Sequence, residues 1–350
     1  MKVDYIIVGL GLAGLSFIET LEKNNKSYVV FENESQTSSK VAAGMFNPVV
    51  LKRFIPVWNG KDQLSIAIPF FELLENKFSS KYIQYVDIYR VFKSVEEQNN
   101  WFIACDNPLL ATYMSTKILS NENNNIIAPF GFGRLINTGR IDLESLLHDY
   151  YAKLSEENKI IKDSFKHEKL EISDTNMKYN DIEAKKIVFC EGFGLKANPF
   201  FNYLPMNEAK GELITIKAPD LKIDFMLKAA VFVLPLGNDF YKVGATFNWK
   251  DKTSTPSDEG KSELIEKLET TINTQYKIVN HVAGIRPTVK DRRPLIGIHP
   301  TYKNMAILNG LGTRGVMLGP TMALSLFDRI ENNKPLDEEI DIKRYASYLN

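Results

Sequence analysis

The chain is short of the residues most used for metal binding and thiol chemistry: 350 residues contain two cysteines and four histidines. Cys105 and Cys190 make no CxxC pair and no metal-ligand spacing, and two cysteines are not a disulfide framework. They read as reduced thiols, the pattern expected of a cytoplasmic protein. His148, His167, His281 and His299 form no constellation, so each reads as a surface or structural residue and no metal site is expected. Net charge is also missing, with 43 basic residues against 43 acidic ones. That balance gives no electrostatic reason for a polyanionic partner, and nucleic acid is not expected. No run of about 20 apolar residues is present, so no membrane span is expected. Residues 5–18 (YIIVGLGLAGLSFI) imitate a signal-peptide core, but Asp4 precedes them, glycines interrupt them and no small-residue cleavage site follows.

What is present is an ordinary supply of apolar residues, 44%, in a length that suggests about two domains. Residues 3–8 form a short apolar run of the kind buried on both faces of a parallel sheet. The pattern predicts a helix over 12–24 and a second parallel strand over 27–32 that ends in an acid, Glu32. Residues 64–78 and 95–104 carry helical spacing, residues 82–92 alternate like one half-exposed strand, and 141–157 read as an amphipathic helix that includes Ile141. Residues 185–190 are another buried strand. The stretches 212–217, 229–236 and 240–247 alternate and are joined by turns, as in an antiparallel sheet. A helix is expected over 258–273, a strand over 304–309, and a last helix up to about Ile330. Parallel-type strands thus come from both ends and the middle of the chain, with alternating strands between them. Two domains whose segments interleave follow from that order.

The string GxGxxG/A occurs three times, and context separates the three. Gly9, Gly11 and Gly14 lie between a strand and a helix, and Glu32 ends the next strand. In such a unit the first glycine permits a tight turn and the second lets a pyrophosphate approach the backbone. The third lets helix and sheet pack closely, and the helix N-terminus attracts the phosphates. An acid at position 32 suits a ribose hydroxyl and repels a 2′-phosphate. Gly192, Gly194 and Ala197 follow a strand, but Asn198-Pro199 stops any helix, so this is no second fingerprint. Gly310, Gly312 and Gly315 lie between a strand and a helix with too little chain beyond them to complete a βαβ unit. That turn remains a helix N-terminus able to face an electron-rich group.

Taken together, these segments resemble the glycine oxidase/D-amino-acid oxidase family of FAD-dependent oxidoreductases. VGLGLAGLS with Glu32 is similar to the family's ADP-binding segment. KVAAGMFNP (Lys40 to Pro48) is similar to its flavin-contacting loop, and KKIVFCEG (Lys185 to Gly192) to the strand beneath the cofactor. GIRPTVKDRRPLIG (Gly284 to Gly297) resembles the family's Gly-x-Arg-Pro segment, and NGLGTRGVMLGP its last glycine loop. Within the family, residues 312–315 are most similar to the FAD domain of the bifunctional tRNA-modifying oxidoreductase that cleaves a carboxymethylamino group.

The resemblance implies an α/β fold in which a Rossmann-like FAD-binding domain (1–60, 130–204 and 281–350) interleaves with an antiparallel-sheet α+β substrate domain (61–129 and 205–280). It implies non-covalent FAD, since neither cysteine lies in an attachment motif. Expected cofactor contacts are Gly9, Gly11, Leu12, Ala13, Gly14, Glu32, Ala42, Ala43, Gly44, Met45, Cys190, Glu191, Gly192 and Gly310, Leu311, Gly312, Thr313, Arg314, Gly315, Val316. The activity it implies is oxidation of the C–N bond of a small amine or amino acid by hydride transfer to flavin N5, with hydrolysis of the imine. Arg286 is implied to grip a substrate carboxylate with its guanidinium fork. Lys52 and Arg53 are candidates for the active-site lining, against a solvated pair on a turn. Tyr241 is a candidate substrate contact, against sheet packing. Two further readings stay open: oxidation of a 2-hydroxy acid, which needs a base for the hydroxyl proton, and a flavin-binding subunit without turnover.

Overall fold

The computed structural model describes residues 1–173 and 175–349. They divide into two compact units, one of 1–40, 143–209 and 285–350 and the other of 41–142 and 210–284. The chain therefore interleaves, but residues 41–60 and 130–142, expected in the first unit, pack within the second.

The first unit is built on continuous apolar strands. Every residue of Tyr28–Phe31 and Met305–Asn309 is buried, as a sheet covered on both faces requires. Lys2–Val8 runs parallel between Tyr28–Phe31 and Ile182–Phe189, and Met305–Asn309 extends the parallel set beyond Ile182–Phe189. Ile160–Ile161 adds a short parallel edge beside Tyr28–Phe31. Leu295–Ile298 and the hairpin Leu170–Ile172/Met177–Tyr179 join as antiparallel strands. One core gathers Ile6, Val8, Phe31, Ile187, Phe189, Phe201 and Met305. Tyr5 instead meets Phe17 of the first helix edge-on at 5.7 Å. A packed aromatic pair of this kind contributes about 0.5–1.5 kcal/mol beyond its area. The Tyr5 hydroxyl also donates to Glu331 Oε1 at 2.5 Å, which ties the first strand to the end of the last helix.

The first helix, Leu12–Lys23, is buried around most of its circumference, from Leu12 through Ile18 and again at Thr20 and Leu21. The last helix, Gly315–Glu331, starts directly after the third glycine turn. Pro320 lies inside it, so the carbonyl of Val316 loses its usual helical donor. The two helices approach closely because Gly315 and Gly319 face the first helix. A Cβ on Gly315 would come within 2.9 Å of Leu12 Cδ1, and one on Gly319 within 2.7 Å of Ser16 Oγ. Their first turns consequently lie side by side.

The second unit carries an eight-stranded sheet in the order Lys277–Arg286, Ala209–Lys217, Phe240–Gly244, Phe232–Gly237, Met226–Lys228, Ile88–Val91, Phe132–Leu135, Met114–Leu119. All of its recorded pairings are antiparallel except Met226–Lys228 with Ile88–Val91. Leu264 and Leu268 of the helix Asp258–Glu269 pack in one core with Ile214, Ile216, Val233 and Val243. A smaller sheet joins Met45–Phe46, Gly139–Ile141 and Ile83–Tyr85.

Three local expectations change. Residues 82–92 are not one strand: Ile83–Tyr85 and Ile88–Val91 belong to two different sheets. Ile141 ends a strand, and the helix after it starts at Leu143. The helix expected over 258–273 stops at Glu269, where Thr271 is drawn into a backbone bond with Leu268. Among the described residues, no helix is long and apolar enough to cross a membrane.

Candidate functional site

The first glycine turn is shaped by lack of room. Gly9 has φ +100°, and a Cβ there would sit 2.6 Å from the Cys190 carbonyl oxygen. A Cβ on Gly14 would overlap the Gly9 carbonyl oxygen. Backbone atoms, which cannot rotate away, are thus what exclude a side chain at both positions. Gly11 caps the first helix without a side-chain acceptor. The missing acceptor comes from Ser39, whose Oγ takes the Leu12 N–H at 3.2 Å.

Glu32 braces the same turn. Its Oε2 accepts from the Leu10 N–H and its Oε1 from the Glu34 N–H, each at 2.5 Å. A carboxylate is therefore fixed at the end of the second strand, beside the backbone of the glycine turn. No acidic residue occupies the first turn of either the first or the last helix. The partial positive charges of the two adjacent N-termini are not neutralised by an acid in either first turn and favour an anionic ligand.

The remaining walls close onto these helix starts. Ser38 Oγ donates to the Ile285 carbonyl. Two residues on, the Pro287 carbonyl accepts from Gly312 N–H at 3.1 Å. Gly312 is left-handed at φ +58°, and Gly310 at φ +71°. The next glycine, Gly315, touches Leu12. Contacts therefore run in a ring from Leu12 through Ser39, Ser38, Ile285–Thr288 and Gly312 back to Leu12. Arg286 stands on that ring. Burial draws its guanidinium down to about 10, which makes an added negative charge more favourable there. Arg314 is half-buried at the cap of the last helix and is lowered by burial and by Arg292.

Cys190 is buried and its thiol is pushed up by burial. The carboxylate of Glu191 is taken by His167 Nε2 at 3.2 Å and Asn198 Nδ2 at 2.6 Å. Glu191 therefore offers the site its backbone, not its side chain. The Gly192 carbonyl accepts from Asn309 Nδ2 at 2.9 Å, and Asn309 Oδ1 accepts from Gly310 N–H at 2.8 Å. That asparagine joins the second and third glycine stretches.

The structure thus brings together Gly9 to Gly14, Glu32, Cys190 to Gly192, Gly310 to Val316 and Arg286 in the first unit. Ala42, Ala43, Gly44 and Met45 belong to the second unit. There the carbonyl of Gly44, at φ +69°, accepts from Ile141 N–H at 2.9 Å. Lys52 and Arg53 are exposed in a turn and line a cavity of about 470 Å³ with Glu97, Asn100 and Asn107. Tyr241 is 4% exposed in the core of the second unit, and its hydroxyl accepts from the backbone of Ile223 and Lys222. That environment fits the sheet-packing alternative. Ser38, Ser39 and Asn309 were not anticipated. The signal available was a serine pair just after the acid-ended strand and an asparagine just before a left-handed glycine.

The residues fit a dinucleotide: a turn with no room for side chains, a fixed acid for a ribose, and helix N-termini for phosphates. Comparison with known proteins agrees. The family model described as "DAO: FAD dependent oxidoreductase" matches residues 4–329. Glycine oxidase of Bacillus subtilis (strain 168) is 27% identical over 161 residues, 44% of this chain and 43% of that protein. The tRNA 5-methylaminomethyl-2-thiouridine biosynthesis bifunctional protein MnmC of Campylobacter concisus (strain 13826) is 23% identical over 304 residues, 83% of this chain and 46% of that protein. The chain spans less than half the length of these two relatives. The structure of glycine oxidase from Bacillus cereus ATCC 14579 superposes with a TM-score of 0.78 at 18% identity, covering 95% of this chain and 96% of that one. L-proline dehydrogenase from P. horikoshii gives 0.79 at 14% identity, covering 99% and 98%.

Proposed function

The chain belongs to the FAD dependent oxidoreductase family, and from that premise we propose that it oxidises the C–N bond of a small amine or amino acid. FAD is the cofactor of the family, and here Gly9, Gly11, Leu12, Gly14 and Glu32 would hold its ADP part, with residues 310–316 toward the ring. When bound, the flavin supplies the acceptor for a hydride from the carbon next to nitrogen. The protein's part is positioning and electrostatics. Gly315 and Val316 begin a helix whose first turn holds no acid, and the N–H groups of such a helix start suit negative charge developing nearby. Cys190 stays a buried, protonated thiol, in keeping with non-covalent attachment.

The observation that carries the reading is the place of Arg286. It stands two residues before Thr288 in a segment held to Gly312 at the start of the last helix. A guanidinium there suits the carboxylate of an amino acid, gripped by two parallel bonds. No base is needed if the substrate amine arrives neutral, which distinguishes this reading from hydroxyl oxidation.

Anaerobic titration of the FAD-loaded protein with glycine, sarcosine and proline tests the reaction class. Bleaching of the flavin by at least one is expected. Bleaching by 2-hydroxy acids alone, or by nothing across a broad amine panel, overturns it in favour of the hydroxy-acid or non-catalytic subunit reading. For a bleaching amino acid, Arg286→Ala should raise KM about 10- to 100-fold, the worth of a lost charged hydrogen-bond pair. Arg286→Lys should recover only part of that loss, because an ammonium lacks the planar fork. An unchanged KM in Arg286→Ala removes the carboxylate role.

A further inference from the structure

We propose that Arg90 and Lys228, in the second unit, form a receptor for one small oxyanion, a carboxylate or phosphate group, separate from the glycine-turn site. The two residues are register partners on adjacent parallel strands, Ile88–Val91 and Met226–Lys228. Matched positions on neighbouring strands put side chains on the same side of the sheet. Two cations are therefore set next to each other by the backbone itself.

Their hydrogen bonding is incomplete. Arg90 is 7% exposed. One terminal nitrogen donates to the Lys228 carbonyl at 3.4 Å, and the other pairs with Glu97. Its Nε is buried without a hydrogen-bond partner among the described residues. A buried donor left without a partner is unfavourable, so an acceptor supplied by a ligand contributes to binding. Lys228 is half-buried, and burial first, then Arg90, Lys267 and Lys93, bring its ammonium down to about 8. Among the described residues no acid counters this shift. Lys267 is taken by Glu263, and Glu97 also accepts the Lys93 N–H at 2.7 Å. Glu97 therefore neutralises Arg90 alone among these cations, and its second oxygen is held by a backbone N–H.

An oxyanion has the complementary form. It carries at least two acceptor oxygens, one for Arg90 Nε–H and one for the Lys228 ammonium, and both bonds would be charge-assisted. Glu97 also lines the cavity that holds Lys52, Arg53, Asn100 and Asn107. A ligand with more than one polar group therefore finds further donors close to the same carboxylate. Nothing in this assignment depends on the oxidation reaction.

The test uses FAD-saturated protein, so that the phosphate-binding turn is already filled, and titrates inorganic phosphate and succinate separately at constant ionic strength and pH 7. Saturable binding of one equivalent is expected for at least one, and which binds tighter assigns the class. Lys228→Met should weaken it by tenfold or more, while Lys228→Arg should keep it. A second readout needs no loss of charge. Carbon-13 NMR of reductively methylated lysines, with Lys228 assigned from Lys228→Arg, should show its midpoint rise on saturation. A response that never saturates, equal affinity in Lys228→Met, or a midpoint that does not move each overturns the proposal.

Discussion

Residues 9–14 and residues 192–197 spell the same string and fold differently. After Gly9 the chain enters a twelve-residue α-helix, whereas after Gly192 it makes a single 3₁₀ stretch that ends at Asn198. Both first glycines have positive φ. Around Gly9 a Cβ would strike the Cys190 carbonyl, yet around Gly192 it would meet nothing within 4 Å. The third position shows the contrast best. Gly14 has the Gly9 carbonyl against it, while Ala197 already carries a methyl group and lies exposed. The pattern therefore needs hydrogen at Cα only where the backbone folds back on itself this tightly.

The largest effect should come from Gly14→Ala. Its Cβ would overlap a backbone oxygen, so the helix or the turn must move, at a cost at or above the usual ~1–3 kcal/mol of overpacking. Loss of FAD retention on gel filtration and a lowered thermal midpoint are expected. Ala197→Gly should shift the midpoint far less. Equal shifts in the two would erase the distinction between the strings.

A smaller effect is expected of Glu32→Gln. The amide keeps the size but loses the charge, and only one of its two arms can still accept from the Leu10 or Glu34 N–H. Hydrogen bonds to a charged group are worth about 1.5–3 kcal/mol, so FAD affinity measured by flavin fluorescence should fall about 10- to 100-fold. The second string has no such acid to remove. Its neighbouring carboxylate, Glu191, is committed to His167 and Asn198, and Glu191→Gln should leave FAD affinity nearly unchanged while destabilising the 192–197 stretch.

How far these differences were legible depends on whether local sequence contained their cause. The turn at Gly9, the strand Met305–Asn309 and the helix after Gly315 are set by apolar runs and adjacent glycines, and they read correctly. Residues 82–92 did not. Their alternation continues through Val86 and Asp87, but the two halves are claimed by different neighbours, Gly139–Ile141 and Phe132–Leu135. Tyr241 stayed open between packing and substrate contact because a tyrosine on an alternating strand looks the same whether its face meets a cleft or a helix. In the fold it shares a core with Leu264 and Leu268 of the helix Asp258–Glu269, which local sequence does not reveal. Ser39 completes the cap of the first helix from 27 residues away, and no local rule anticipates a donor–acceptor pair at that separation.

The smallest effect, and the sharpest separation of two causes, is expected of Gly192→Ala. At φ +56° an alanine is conformationally strained, at roughly 1–2 kcal/mol for a left-handed residue. Because the added Cβ has open space, no steric cost is added. The carbonyl that accepts from Asn309 Nδ2 is retained, so the link to the Gly310 turn survives. Gly9→Ala incurs strain and the clash with Cys190 together. The denaturation midpoint of Gly192→Ala should therefore fall modestly with FAD affinity unaltered, whereas Gly9→Ala should lose both. If Gly192→Ala also releases FAD, the Gly192 backbone contacts the cofactor directly, and the two strings differ in which part of it they hold and not in whether they hold it.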